Sequence, residues 1–322
     1  MPDIKDEESP IHIYGPVPSR RLGFSLGIDI LPYKTCTLDC IYCQLGPTPE
    51  KTVERQEHYS FESVLAQIGE AISSGQRIDY ITFSGSGEPT LNRSLGKLIR
   101  EIKKITDIPV AVLTNGTLFF DTRVRKALQL ADLVVPSLDA ATQEVFTKVN
   151  RPYASLRIAN IIAGLIKFRQ EFKGQIWLEI MLVKGVNDSP GHIKKLKEAV
   201  GKIHPDKIQL NTVIRPPTEE FARPLSPEEL EKIKKTFGKN CEVIADFLRK
   251  DQWPQRKNLE ERILSIIQRR PVTVSDIAAS LGKHRDEVLK YLNPLIQEGW
   301  IKSVPHKGSI YYEPAKPRTR DR

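Results

Sequence analysis

One short stretch decides the fold, and it reads Thr35-Cys36-Thr37-Leu38-Asp39-Cys40-Ile41-Tyr42-Cys43-Gln44-Leu45-Gly46. Three of the four cysteines of the chain lie here, spaced Cys-x3-Cys-x2-Cys. Three thiolates on so short a loop can converge on one inorganic centre, and soft sulfur ligands suit iron–sulfur chemistry. A closed zinc site needs a fourth ligand, and this loop offers neither a histidine nor a fourth cysteine. A structural zinc knuckle remains the alternative interpretation of the spacing.

Strands and helices are predicted to alternate around this cysteine loop (residues 35–46). Apolar runs predict strands at 27–31, 78–83, 110–113, 133–137, 176–183 and 207–210, and helical periodicity predicts helices between them from residue 61 onward. Such alternation implies a parallel sheet with helical crossovers. Six strands are too few for a closed eight-fold barrel, so an α/β fold with an open, partial barrel is expected. Residues 14–23 are rich in glycine and proline and are predicted to form no regular element.

A glycine-rich turn (residues 84–89) follows the second predicted strand and reads Ser84-Gly85-Ser86-Gly87-Glu88-Pro89. Glycines at a strand end let the backbone approach a ligand closely, with amides and carbonyls available for hydrogen bonds. By itself such a turn is weak evidence for a binding site. Because it lies one helix and one strand after the cysteine loop, we expect the two segments to meet at the same edge of the sheet.

Other strand ends also carry polar residues. Asn115 follows the third strand, and Ser137 and Asp139 follow the fourth, although Asn-Gly and Ser-x-Asp are also ordinary turn and capping sequences. Residues at alternate positions of a strand share a face, so three side chains of the fifth strand are expected to point the same way: Trp177, Glu179 and Met181. Looser candidates for contact with a substrate, a phosphate or a carboxylate are Arg20, Arg21, Asn187, Asn211 and Arg215.

The two motifs together resemble the radical S-adenosylmethionine (radical SAM) superfamily, in which an aromatic residue, here Tyr42, precedes the last cysteine. The resemblance covers about residues 11–250 and implies a partial (β/α)6 TIM-like barrel. It implies that Cys36, Cys40 and Cys43 hold a [4Fe–4S] cluster with one open iron. That iron would bind S-adenosylmethionine (SAM), whose reductive cleavage yields a 5′-deoxyadenosyl radical. An external electron donor, such as a flavodoxin or a ferredoxin-like protein, is implied as well.

The resemblance also assigns residues to the SAM site. In this family a Gly-Gly-Glu-Pro segment contacts the SAM amino group, so Ser86, Gly87 and Glu88 are expected to orient it, with serine where the first glycine usually stands. The fourth strand often contacts the ribose, which makes Ser137 and Asp139 candidates, and Tyr42 and Asn115 complete the expected cofactor-binding set. The runs at residues 15–23 and 34–46 resemble a less characterised branch, grouped loosely with wyosine-base synthases and nitrogenase-cofactor-assembly proteins. That branch implies no specific substrate.

Composition sets the broad class of the protein. With 39% hydrophobic and 28% charged residues, the chain of 322 residues is typical of a soluble globular protein. It has no run of 18 apolar residues, and its acidic N-terminus does not resemble a secretory signal. Three clustered cysteines do not suggest a secreted disulfide framework, so a reducing cytoplasm is expected. Cys241 stands alone and is expected to be a buried structural thiol.

The region after residue 250 changes character. A linker at 251–256 is followed by a helix, a helix–turn–helix and a β-hairpin over 257–314, an order that resembles a small winged-helix domain. Residues 1–10 and 315–322 are predicted tails, the second of them basic. The formal net charge is +9 and is densest at the C-terminus. Contact between residues 257–322 and a nucleic acid is therefore expected, with five basic residues placed for it: Lys283, Arg285, Lys290, Lys302 and Lys307.

The sequence therefore predicts a radical SAM enzyme whose unidentified substrate is tRNA or another nucleic acid. A radical enzyme that acts on a protein or peptide is the next interpretation. The alternative from another class is a redox-sensing regulator, in which the cluster controls DNA binding by the winged helix. That alternative leaves the glycine-rich turn and the strand–helix alternation unexplained.

Overall fold

The computed structural model describes residues 12–19, 21–215, 217–245, 259–281, 298–306 and 309–315, with the pairs 288–289, 291–292 and 295–296. These residues form one large sheet with helices on its outer side and a smaller three-stranded sheet near the C-terminus. Within this part of the chain, no helix has the length and apolar character needed to cross a membrane.

The large sheet contains eight strands that follow one another in chain order. They are β1 (Ile13–Ser19), β2 (Gly23–Ile28), β3 (Tyr80–Phe83), β4 (Val110–Thr114), β5 (Leu133–Pro136), β6 (Gln175–Leu182), β7 (Lys207–Thr212) and β8 (Cys241–Val243). β1 pairs antiparallel with β2, and every later pairing is parallel. Among the described strands β1 and β8 do not pair, so the sheet stays open. The predicted α/β fold with a partial barrel is confirmed, with eight strands instead of six.

Helical crossovers connect the parallel strands, as parallel pairing requires. They are α1 (Phe61–Ser73), α2 (Leu95–Ile105), α3 (Thr122–Ala127), α4 (Gln143–Asn150), α5 (Ile158–Glu171), α6 (Pro190–Ile203) and α7 (Pro227–Phe237), with a short 3-10 turn at Pro89–Leu91. Local sequence fixes their ends: Ser60 caps α1, and Ser226 and Glu229 form a capping box at α7. The spacing of apolar residues decides which side of a helix is buried, as in α2, where Leu98 and Ile102 lie in the core.

The prediction of no regular element at residues 14–23 is wrong. β1 runs through Gly15 and Pro16 because its register with β2 shifts between Tyr14 and Val17, which leaves both residues outside the ladder. Gly15 has φ +91°, and a Cβ there would lie 2.5 Å from the Val17 amide nitrogen. A bulge at an edge strand thus accommodates residues that would break a central strand.

The C-terminal module (residues 259–315) packs against this edge strand. It contains α8 (Leu259–Arg269), β9 (Val272–Thr273), α9 (Val274–Leu281), β10 (Ile301–His306) and β11 (Ser309–Pro314), with the small sheet in the order β10-β11-β9. Val17 of β1 is buried in the apolar core of the module, and the Tyr311 hydroxyl donates to the Ile214 carbonyl at 2.9 Å. Most of residues 282–297, which belong to the predicted helix–turn–helix, lie outside the described residues, so the winged-helix assignment stays a prediction. Lys283, Arg285, Lys290 and Lys307 lie outside the described residues.

Candidate active site

A cavity of about 390 Å³ lies at the carboxyl ends of the parallel strands. Residues from the cysteine loop, from the glycine-rich turn and from the ends of β4 and β5 line it together. Of the predicted site residues, the lining includes Cys36, Tyr42, Cys43, Ser86, Gly87, Glu88, Asn115 and Ser137. The edge of the sheet thus brings the two motifs to one place, as the strand order requires. Cys40 and Asp139 lie just behind this surface.

Each of the three clustered sulfurs accepts a hydrogen bond from a nitrogen. Lys34 Nζ donates to Cys43 Sγ at 3.1 Å, and Asn150 Nδ2 donates to Cys40 Sγ at 3.3 Å. Asn115 Nδ2 lies 3.6 Å from Cys36 Sγ. Donors of this kind stabilise thiolate ligands and tune the reduction potential of iron–sulfur centres. The donor set of this loop, three soft sulfurs each facing a hydrogen-bond donor, fits a cluster.

Burial and neighbouring charges act on the cysteine loop. Burial raises the pKa of the Cys36 thiol to about 12, with Glu88 adding to the effect, and it raises that of Cys40 well above its usual range. Burial alone would lower the pKa of Lys34, but the facing cysteines raise it above its ordinary value. In the described part of the chain, no three histidine, cysteine or carboxylate side chains are spaced for a single metal ion. A closed zinc site would also need a fourth ligand, and the side chains that face the three sulfurs, those of Lys34, Asn115 and Asn150, are hydrogen-bond donors.

Gly87 allows the glycine-rich turn and the cysteine loop to touch. A Cβ at Gly87 would lie 2.2 Å from the Thr35 carbonyl oxygen, well inside contact distance. Two backbone hydrogen bonds join the segments on either side: Lys34 N donates to Ser86 O at 2.6 Å, and Glu88 N donates to Thr35 O at 3.0 Å. The sequence predicted a close approach of Gly87 to a ligand. In the structure the close approach is to the loop that carries the cysteines.

The carboxylate of Glu88 is buried and held by the protein. It accepts hydrogen bonds from the Thr90 amide at 3.0 Å, the Thr114 hydroxyl at 2.6 Å and the Asn115 amide at 2.6 Å. Burial raises the pKa of Glu88, and these hydrogen bonds oppose that rise. Glu88 therefore ties the glycine-rich turn to the end of β4, and its own amide and carbonyl are hydrogen-bonded to Thr35 and Leu91.

Asp29 and Lys34 are parts of the site that the sequence did not single out. Asp29 Oδ2 accepts hydrogen bonds from the Ser86 amide at 3.0 Å and the Ser86 hydroxyl at 2.6 Å. The same oxygen forms an ion pair with Arg269 at the end of α8, so the C-terminal module reaches the glycine-rich turn. An acidic residue inside the apolar run 27–31 was the available signal for Asp29. Lys34 carried none beyond its place next to the cysteine loop.

At the end of β5 the two predicted residues have different environments. Ser137 lines the cavity, whereas Asp139 accepts hydrogen bonds from the Tyr42 hydroxyl, from Asn150 Nδ2 at 2.7 Å and from the Met181 amide at 2.9 Å. Burial raises the pKa of Asp139 to about 6, against the effect of the Tyr42 and Asn150 hydrogen bonds. Ser137 is therefore placed for a ligand, while Tyr42, which also lines the cavity, is held by its hydrogen bond to the buried Asp139.

The far wall of the cavity carries an ion pair. Arg21 pairs with Glu179, and Asn211 Nδ2 donates to Glu179 Oε1 at 2.9 Å. All three residues line the cavity, as does Met181, so Glu179 and Met181 point the same way, as expected for alternate positions of one strand. Arg21 was a candidate for contact with a substrate, a phosphate or a carboxylate. In the structure its partner is a carboxylate of the protein, that of Glu179. Arg20 lies outside the described residues.

The remaining candidates divide into one cavity residue and two buried ones. Arg215 lines the cavity and donates to Gln44 Oε1 at 3.0 Å. Asn187 is fully buried and donates to the Asp139 and Met181 carbonyls, so it supports the fold and is placed away from a substrate. Cys241 is buried in β8, and burial raises the pKa of its thiol to about 12, as expected for a structural cysteine.

Comparison with known proteins agrees with this geometry. The family model of the radical SAM superfamily matches residues 30–196. The chain is 35% identical over 305 residues to the UPF0026 protein MJ1312 of Methanocaldococcus jannaschii, covering 93% of this chain and 94% of that protein. It is 42% identical over 303 residues to a protein of Brachyspira hyodysenteriae named GTPase Obg, but spans only 45% of its length.

The fold has a counterpart among solved structures. A radical SAM methyltransferase from Sphaerobacter thermophilus superposes with a TM-score of 0.51 at 18% identity, over 68% of this chain and 65% of that one. This likeness concerns the fold, while the match to the family model includes the cysteine loop and the glycine-rich turn. The chain is therefore a radical SAM enzyme with a [4Fe–4S] cluster and SAM as its cofactors, and it belongs to the UPF0026 family.

Proposed function

We propose that this enzyme cleaves SAM at a cluster held by Cys36, Cys40 and Cys43 and modifies a nucleic acid, with tRNA as the first candidate. When bound and reduced by an external flavodoxin or ferredoxin-like donor, the cluster supplies the electron that breaks a C–S bond of SAM. The products are methionine and a 5′-deoxyadenosyl radical that abstracts hydrogen from the substrate. The observation that carries this proposal is the hydrogen-bonded set of three cysteines facing the glycine-rich turn across one cavity.

The residues of the chain have separate tasks in this scheme. Lys34, Asn115 and Asn150 hold the three sulfurs in place. Gly87 has no backbone hydrogen bond to the described residues, so its carbonyl suits the amino group of SAM. Ser137 lines the same cavity with a hydroxyl that makes no hydrogen bond within the described chain, which suits it to the ribose. Arg215 and Asn211 lie on the opposite wall, where a substrate would enter.

Two further relatives support a substrate that carries nucleotides. A protein of Clostridium acetobutylicum named GTP 3′,8-cyclase is 30% identical over 156 residues. A protein of Opitutus terrae named probable dual-specificity RNA methyltransferase RlmN 1 is 28% identical over 190 residues, about half of its length. Phosphate-bearing substrates also agree with the formal net charge of +9. The thiols of the cysteine loop require a reducing compartment, which favours the cytoplasm.

The proposal is tested with anaerobically reconstituted protein that is reduced with dithionite in the presence of SAM. We expect release of 5′-deoxyadenosine and methionine, and faster release when bulk tRNA is added. If no SAM is cleaved, with or without tRNA or total RNA, in protein that carries its cluster, the proposed chemistry is wrong. If cleavage occurs but RNA leaves both its rate and the RNA unchanged, the substrate class is wrong.

A further inference from the structure

A second concave surface lies on the outside of the barrel, between α2 and α3. This basic groove encloses about 590 Å³, and six cations line it: Arg55, Arg93, Lys97, Arg100, Arg123 and Lys126. The other described residues that line it are neutral. Five of the six cations are exposed, and only Arg55 is half-buried. No motif in the sequence marks the groove, because its residues come from three separate segments.

The shape of the groove follows from the packing of two helices. Gly96 of α2 lies against α3, where a Cβ at position 96 would come within 2.8 Å of the Ala127 Cα atom. The small residues Gly96 and Ala127 form the floor, because they let the helix backbones approach closely. The cations of α2 and α3 therefore stand on opposite sides of a narrow trough, where one anionic chain could contact both rows.

The positive charge of the basic groove is only partly balanced by the protein. Asp121 pairs with Arg123 at 2.8 Å, and Lys97 lies over the Phe61 ring. The exposed side chains of Arg93, Arg100 and Lys126 make no hydrogen bond or ion pair with the described residues. Like charges held together raise the free energy of the fold, and a bound anion would relieve that repulsion.

Arg55, which also lines the basic groove, has two neighbouring arginines and one neighbouring carboxylate. Burial lowers its pKa, and the neighbouring Arg123 and Arg93 lower it further, against the opposing effect of Asp121. Its Nε donates to the Thr90 carbonyl at 2.8 Å, and its Nη2 donates to the Asn92 carbonyl at 3.1 Å. Thr90 belongs to the 3-10 turn at Pro89–Leu91 and Asn92 follows it, so Arg55 connects the groove to the segment that comes directly after the glycine-rich turn.

A groove of similar size on another face of the protein carries no such excess of positive charge. It encloses about 520 Å³ between α6 and α7, and it carries three lysines and three acids. Its lysines are Lys194, Lys197 and Lys232, and its acids are Asp188, Glu198 and Glu229. Here the charges balance, as on an ordinary solvated surface. The basic groove is therefore a local feature and more than a consequence of the net charge.

We propose that the basic groove binds the phosphodiester backbone of an RNA strand and guides it toward the active-site cavity. Guanidinium groups match phosphate oxygens in charge and in hydrogen-bond geometry, and a row of them follows a backbone without reading its sequence. The groove is open to solvent, since five of its six cations are exposed, and a chain can therefore lie in it. The purpose assigned to this binding rests on the proposed function, whereas the binding itself does not.

The test measures binding of a fluorescein-labelled single-stranded RNA of roughly 20 nucleotides, long enough to span such a groove, to the full-length reconstituted protein by fluorescence anisotropy. One variant combines R93E, R100E and K126E, and the matched control combines K194E, K197E and K232E. Both change the formal net charge equally. We expect the groove variant to lose at least about tenfold in affinity and the slope of log K against log salt to shrink by about 2, since three phosphate contacts are lost. The control should bind within about twofold of wild type.

Three results would overturn the proposal: no RNA binding by wild type, equal losses in both variants, or stronger binding of poly-glutamate than of RNA. The last result would point to an acidic protein partner instead. Cluster content and melting temperature are measured on every variant, and a groove variant that fails to fold is replaced by the three single substitutions. SAM cleavage by wild type is scored separately. Wild type that binds RNA through the groove but does not cleave SAM refutes the proposed function and leaves this inference standing.

Discussion

The cysteine loop with its glycine-rich turn and the C-terminal module are held in place in opposite ways. The first pair is joined by backbone hydrogen bonds and a tight glycine contact between residues about fifty positions apart. The module is attached through side-chain contacts that span much longer stretches of chain, among them Arg269 with Asp29 and Tyr311 with Ile214. The residues expected to hold the cluster and SAM are therefore brought together by contacts within the barrel. The surroundings of the cavity depend in addition on how the C-terminal module packs against the barrel.

Asp29 is the point where these two regions meet. One of its oxygens holds both Ser86 of the glycine-rich turn and Arg269 of the module. Arg269 also lies over the Tyr14 ring, and both Arg269 and Arg270 line the cavity. The module is therefore a wall of the candidate active site, whatever else it binds.

The largest effect is expected from Cys43→Ala. Removing one of three sulfur ligands should prevent stable assembly of the cluster, and SAM cleavage should fall below detection. The measurement is iron and sulfide content together with release of 5′-deoxyadenosine. Cys241→Ala is the matched control, since that thiol is buried in β8 far along the chain, and it should keep both properties. Activity that persists without Cys43 would contradict the ligand assignment.

Gly87→Ala should be the next most severe change. Its added methyl would meet the Thr35 carbonyl at 2.2 Å and force the glycine-rich turn away from the cysteine loop. We expect a loss of about 1–3 kcal/mol in the free energy of unfolding. SAM cleavage should fall by roughly a hundredfold, because a displacement of about 1 Å in the site can cost that much. Gly191→Ala, where nothing lies within 4 Å, should not lower the free energy of unfolding, since alanine is favoured in helix α6, and should leave SAM cleavage unchanged. Equal losses in the two variants would refute this reason.

Arg269→Met tests the link from the module to the barrel. It leaves the buried Asp29 carboxylate without its cation, so the free energy of unfolding should fall by on the order of 3 kcal/mol. The affinity for SAM, measured by equilibrium dialysis, should fall by about tenfold, because Asp29, which holds Ser86, is no longer fixed by Arg269. Lys302→Met removes the exposed pair with Glu313 and should cost less than about 1 kcal/mol. A lower melting temperature with unchanged SAM affinity would limit the ion pair to a structural role.

The sequence predicted those parts of the site that short motifs encode. The spacing of the cysteines and the place of Ser86, Gly87 and Glu88 after a strand put both motifs at one edge of the sheet, and the structure places them there. The sequence could not show that the Glu88 carboxylate accepts a hydrogen bond from the Thr114 hydroxyl, because that contact depends on the pairing of β3 with β4.

Longer-range features were not accessible in this way. The pairing of Arg269 with Asp29 joins residues 240 positions apart, and no spacing rule connects them. β1 was missed because its bulge tolerates Gly15 and Pro16, which usually argue against a strand. The basic groove comes from the crossing of α2 and α3, so its charge is visible only after folding. Local chemistry is thus read from sequence more reliably than the surfaces that choose a partner.

The smallest predicted effect concerns Lys34, whose ammonium group donates to Cys43 Sγ at 3.1 Å inside the reactive region. A cation beside a cluster ligand favours the more negative, reduced state, so Lys34→Met should lower the midpoint potential. One charge-assisted contact worth on the order of 1 kcal/mol corresponds to roughly 40 mV for a one-electron couple. The potential is measured by redox titration of the cluster signal in electron paramagnetic resonance.

The matched control for this last prediction is Lys51→Met. Lys51 lies beside the same loop, through a bridge to Cys36, but its ammonium group donates to the Arg151 carbonyl. The substitution Lys51→Met therefore removes an equal charge near the cysteine loop without removing a hydrogen bond to sulfur. If both variants shift the potential by the same amount, the effect is general electrostatics. A shift confined to Lys34→Met would show that the hydrogen bond from Lys34 to Cys43 tunes the reduction potential of the cluster.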